Sequence, residues 1–116
     1  MVSFALEGSD VVMTILGFDK ILALRSSVRF NRNNIRRLAL AQEGVYPTGL
    51  RWPGTSAGGL VQAGTFVGEG RREFWLRRQG NQAIEIDLEN EEYTRIVVDV
   101  EDLEEVTRVI GSRCPL

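Results

Sequence analysis

The side chains able to do chemistry in this chain are carboxylates, arginines and a few hydroxyls, because its 116 residues include no histidine and one cysteine, Cys114. Histidine is the commonest general base and metal ligand. Without it Ser26, Ser27 and Ser56 have no imidazole to activate them, and a serine–lysine pairing would rest on Lys20 alone. Glu85 and Asp87 stand two residues apart, which on a strand puts both carboxylates on one face, as an acid–base pair requires. Glu89, Glu91 and Glu92 supply oxygens of the kind a hard cation takes, but their spacing fits no EF-hand loop, and solvated strand and turn charges are the better reading of both groups. The run Gly54-Thr55-Ser56-Ala57-Gly58-Gly59 has the glycine content of a phosphate loop and lacks its Gly-Lys-Ser/Thr step. A lone thiol excludes an intramolecular disulfide and a cysteine-rich zinc centre. No catalytic residue, metal site or cofactor is therefore expected, and the chain reads as non-catalytic.

Two surfaces remain for binding. Arg25, Arg29, Arg32, Arg36 and Arg37 fall in a stretch, Lys20 to Gln42, that holds six cations and no acid. They could meet phosphate groups of a lipid or another ligand. The alternative is pairing with the acidic stretch Glu85 to Glu105, which carries ten acids against Arg95 alone. A nucleic-acid partner is not expected, since aromatic residues are not interleaved with the arginines and the isoelectric point is near 5.2. The second surface is aromatic: Trp52, Phe74 and Trp75 are candidate anchors for a protein partner or a second copy of the chain. Phe74 and Trp75 are adjacent on a strand and so point to opposite faces, which leaves one of them needing cover.

The elements that must position these groups are short. A hydrophobic share of 43% and a charged share of 26% predict one packed domain over 1–116; no apolar run reaches the length that crosses a bilayer, no secretory leader is expected at the N-terminus, and the cytoplasm is the expected address. Ser3–Glu7 and Asp10–Leu16 form a hairpin about Gly8-Ser9. Helical spacing of Phe18, Ile21 and Leu22 predicts a short helix near 18–25. Val28–Phe30 and Ile35–Ala41 read as a second hairpin across Asn31–Asn34, and Gly44–Gly64 as mostly loop with a type II turn at Trp52-Pro53-Gly54-Thr55. An antiparallel meander then runs through Thr65–Val67, Glu73–Arg78, Gln82–Leu88 and Tyr93–Val100. Asp102 as N-cap, Glu105 as its capping-box partner and Gly111 beyond the end bound a helix whose apolar stripe is Leu103, Val106, Val109 and Ile110.

The runs Gly49-Leu50-Arg51-Trp52-Pro53-Gly54-Thr55, Ala63-Gly64-Thr65-Phe66, Glu73-Phe74-Trp75 and Tyr93 to Asp102, with Ile35 before them, resemble small bacterial pleckstrin-homology-like proteins over roughly residues 18–111. The resemblance implies a mostly β fold, a pleckstrin-homology-like barrel of two near-orthogonal antiparallel sheets capped by the C-terminal α-helix. It carries no common activity. Two departures set the chain apart from eukaryotic phosphoinositide-binding members: residues 1–16 contain no Lys or Arg, and the closing helix has no tryptophan. The leading expectation is an interaction module that binds itself or another protein, with anionic lipid or a phosphate-bearing ligand at the Arg25–Arg37 hairpin as the alternative.

Overall fold

The computed structural model describes residues 2–15, 26–41, 50–57, 61–68, 70–78 and 80–110. The expected helix near 18–25, together with Arg25, Gly111 and Cys114, lies outside them. Nine strands and one helix are described: β1 (Val2–Glu7), β2 (Asp10–Ile15), β3 (Ser27–Asn31), β4 (Ile35–Leu40), β5 (Leu50–Ala57), β6 (Val61–Gly68), β7 (Arg71–Arg78), β8 (Ala83–Leu88), β9 (Arg95–Asp99) and α1 (Leu103–Val109). The fold is mostly β, in a three-stranded sheet β1-β2-β3 and a six-stranded sheet β4-β8-β9-β7-β6-β5. Among the described residues the two sheets do not close into one hydrogen-bonded barrel. No helix of the described residues is long and apolar enough to cross a membrane.

The first hairpin forms as expected, pairing Glu7 with Asp10 and Phe4 with Met13. Gly8 has φ +64°, the value the first central position of a type II′ turn requires and glycine supplies without strain. The expected second hairpin does not form. β3 pairs with β2 and β4 pairs with β8, so Asn31–Asn34 turns the chain from one sheet to the other. Asn31 accepts the Asn33 N–H at 2.8 Å and caps a 3-10 turn over Arg32–Asn34, a corner geometry where a tight hairpin turn was expected.

Two further expectations are corrected. Trp52-Pro53-Gly54-Thr55 is not a turn between strands but part of β5, where a bulge shifts the register between Arg51 and Gly54. β5 is an edge strand, and there Pro53 costs no ladder bond and glycine eases the bulge. The meander is also interrupted: β9 lies between β7 and β8, antiparallel to β8 and parallel to β7, so the large sheet is mixed. The reason is burial. Phe74, Trp75 and Leu76 on β7 and Ile96, Val97 and Val98 on β9 are all at most 1% exposed, and strands apolar on both faces belong in the middle of a sheet.

One core cluster fills the space between the sheets, joining Phe4, Val11, Met13, Val28 and Phe30 to Phe74, Leu76, Ile84, Ile86, Ile96 and Val98. Val106 and Ile110 of the helix segment belong to it, with Leu103 and Val109 packed at its rim, while Glu104 and Arg108 face solvent. A second, smaller cluster of Phe66, Trp75 and Val97, with Ala41 against it, lies on the opposite face of the large sheet.

Candidate functional site

The structure does not gather the described arginines, Arg29, Arg32, Arg36 and Arg37, into one cradle. Arg29, on the outer face of the small sheet, sits 2.8 Å from Asp10 and 3.1 Å from Glu7, and these two hydrogen bonds raise its pKa further. Arg36 and Arg37 lie on the edge strand β4 of the other sheet. Arg36 is 3.5 Å from Glu89, and Arg37 is 2.8 Å from Glu85 and 3.7 Å from Asp87. Arg32 stands in the corner between the sheets, with its buried Nε making no hydrogen bond among the described residues. A phosphate group would have to break these ion pairs one at a time.

The acids of β8 belong to a larger arrangement. Strand register sets Arg37, Asp87, Arg95 and Glu73 in one row across β4, β8, β9 and β7, so charge alternates in sign from strand to strand. Arg95 donates to Asp87 at 3.0 Å and lies 3.8 Å from Glu85. Burial pulls its pKa down, but the Asp87 bond and the fields of Glu85, Asp87 and Glu73 outweigh that and leave it raised. Glu85 and Asp87 therefore share a face, as the spacing predicted, but two guanidinium groups engage them. An open cleft of about 270 Å³ beside the row is lined by Arg71, Glu73, Asp87, Thr94 and Arg95. The three glutamates that follow diverge. Glu89 meets Arg36, Glu91 accepts the Asn31 N–H and the Asn34 amide, and Glu92 lies 3.7 Å from Arg72.

Of the aromatic candidates, Trp52 has its backbone in β5 and its side chain outside the described residues. Phe74 and Trp75 do point to opposite faces, yet both are fully buried. Phe74 packs against Tyr93 in the main core with ring centroids 5.6 Å apart, and Trp75 donates its indole N–H to Glu73 at 2.9 Å within the second cluster. Among the described residues the exposed large apolar side chains are instead Leu6, Leu40 and Val67.

Asp99, which no sequence motif marks, is 2% exposed. Its Oδ2 accepts the Arg78 N–H at 2.9 Å and the Asn81 amide at 3.4 Å, while its buried Oδ1 makes no hydrogen bond among the described residues. It pins the turn from β7 toward β8, in which Asn81 N–H donates to Arg78 O and Gly80 takes φ +97°. Desolvation raises its pKa against the opposing pull of these bonds and of Arg78 and Arg77. Because the folded value lies above the ordinary one near 3.8, the unfolded chain releases this proton first. Stability linked to Asp99 is then full below that ordinary value and declines as pH rises through the folded one. Asp99→Asn, which keeps an acceptor for the Arg78 N–H, should raise the melting temperature at pH 7 and lose that advantage near pH 3. A melting temperature unchanged or lowered at pH 7 would contradict this account.

A groove of about 240 Å³ opens between β1 and the helix segment, lined by Val2, Ser3, Phe4, Val100, Glu101, Asp102, Glu105 and Val106. The two-residue turn makes Glu7 and Asp10 a hydrogen-bonded pair, so by alternation Val2, Phe4 and Leu6 turn their backbone N–H and C=O away from β2 and toward this side. Phe4 N–H is taken by Glu105 Oε1 at 3.1 Å, and Asp102 caps the helix by accepting the Glu104 N–H at 2.9 Å. Glu105, expected to complete the capping box, thus reaches across to the neighbouring strand. Nothing local in the sequence signals that contact, because residues 4 and 105 meet only through the packing of α1. No family model, curated protein or solved structure matches this chain.

Proposed function

We propose that this chain is a non-catalytic protein-binding module that receives a partner segment in the groove between β1 and α1. The observation that carries the reading is the groove itself, an open channel with an edge strand as one wall. Other edge strands carry features that discourage strand addition: β4 has exposed arginines and a bulge, β5 has Pro53 and a bulge, and the Asn31 N–H of β3 is taken by Glu91. Two packed sheets with an amphipathic closing helix support the pleckstrin-homology-like reading, to which the parallel β7–β9 pair adds a variation. Anionic lipid at Arg29, Arg36 and Arg37 is the weaker reading, since each is already in an ion pair.

The test is selection of a displayed random peptide library on the folded chain, followed by titration of enriched peptides into the ¹⁵N-labelled protein. Shifts confined to residues 2–7 and 101–106 are the expected result. Enrichment no better than on a bare surface, or shifts centred on the arginines, would overturn the proposal.

A further inference from the structure

Resting on that reading, we infer that the occupant of the groove is an extended segment bearing lysine or arginine, added to the small sheet beside β1 with its cations on Glu101, Asp102 and Glu105. The backbone supplies the first argument. An edge strand whose N–H and C=O groups face an open channel is a template for strand addition, and main-chain bonds then provide the affinity. Glu105 Oε1, 3.1 Å from Phe4 N, occupies the acceptor position that the carbonyl of a further strand would fill. A carboxylate on a rotatable side chain can leave that position, as a paired backbone cannot.

Charge supplies the second argument and chooses among occupants. Three of the described residues lining the groove are carboxylates, Glu101, Asp102 and Glu105, and none of the described lining residues is a cation. A second copy pairing β1 with β1 would bring the same acids against each other, and a lipid phosphate or nucleic acid would be repelled in the same way. A cationic segment gains twice. Its carbonyl takes over the Phe4 N–H, and the released Glu105 turns to an incoming lysine or arginine. Val2 and Phe4 already bury their side chains in the core, so recognition comes from backbone and charge and tolerates variation in the segment's apolar residues.

The experiment titrates the ¹⁵N-labelled chain with a synthetic peptide alternating lysine and valine, its glutamate–valine counterpart, and a lysine–valine peptide N-methylated along its backbone. The lysine–valine peptide should shift the Val2, Phe4 and Leu6 amides and bind more weakly as salt rises. Its N-methylated form and the glutamate–valine peptide should leave those amides unmoved. Glu101→Lys with Glu105→Lys should weaken binding about tenfold, and Glu101→Lys alone, at an exposed position before the helix, should weaken it in the same direction. Equal shifts from the glutamate–valine peptide would overturn the charge assignment and leave the groove reading standing. Binding unaffected by N-methylation would overturn strand addition. If neither peptide moves a β1 amide while a library-selected peptide does, the cationic strand is wrong and the groove is right; if no peptide does, both fall.

Discussion

Val106→Asp unfolds the chain. Val106 is fully buried in the core that joins both sheets, and a carboxylate there would have no partner, a class of change that costs more than about 4 kcal/mol against a usual domain stability of about 5–15 kcal/mol. Removal of residues 103 onward should act similarly, because Val106 and Ile110 are lost together with the Glu105 contact to Phe4. Leu103→Asp should be milder, since Leu103 sits at the rim, and Arg108→Ala should stay within about 0.5 kcal/mol. Circular dichroism melts of these variants check the order. A Val106→Asp protein that melts cooperatively near the parent temperature would show that the helix is an appendage.

Trp75→Ala should cost about 3–5 kcal/mol, the range for deleting a buried tryptophan. The side chain is fully enclosed in the second cluster with Phe66 and Val97, so truncation leaves a cavity on the far face of the large sheet. Trp75→Phe keeps most of the packing and removes the N–H given to Glu73, itself 2% exposed, which should cost about 1–3 kcal/mol. In a cycle with Glu73→Gln the two effects should fall short of additivity, because both changes touch one bond. Urea denaturation of the four proteins measures this. Full additivity would mean that the indole and the carboxylate act independently.

The parts of the fold that were legible in the sequence are those set by neighbours in the chain. The Gly8-Ser9 turn, the Asp102 cap and the apolar stripe of α1 each depend on a few consecutive residues. The alternation of Ile84, Ile86 and Leu88 against Glu85 and Asp87 likewise matches the observed burial of β8. What failed was partner choice. Asn31–Asn34 has turn chemistry whether it closes a hairpin or rounds a corner, and Pro53-Gly54 suits a bulge on an edge as well as a type II turn. For β9 a signal was available: the unbroken apolar run Ile96-Val97-Val98 marks a strand covered on both faces, which an outer position in a meander does not provide. The site was less legible. Pairing of Arg29, Arg36 and Arg37 with acids was one of two open readings, but the groove depends on where α1 docks, a long-range fact without a local signature.

The insertion of β9 between β7 and β8 means that the large sheet is completed by the last of its strands in the sequence. β7 and β8 follow each other in the chain but do not pair, and the slot between them is filled by the segment that comes after both. Without β9, β7 and β8 would each carry an edge of unpaired backbone groups on the side of that slot. Where copies fold at high concentration, a β9 from another copy filling that slot is therefore the misassembly to expect.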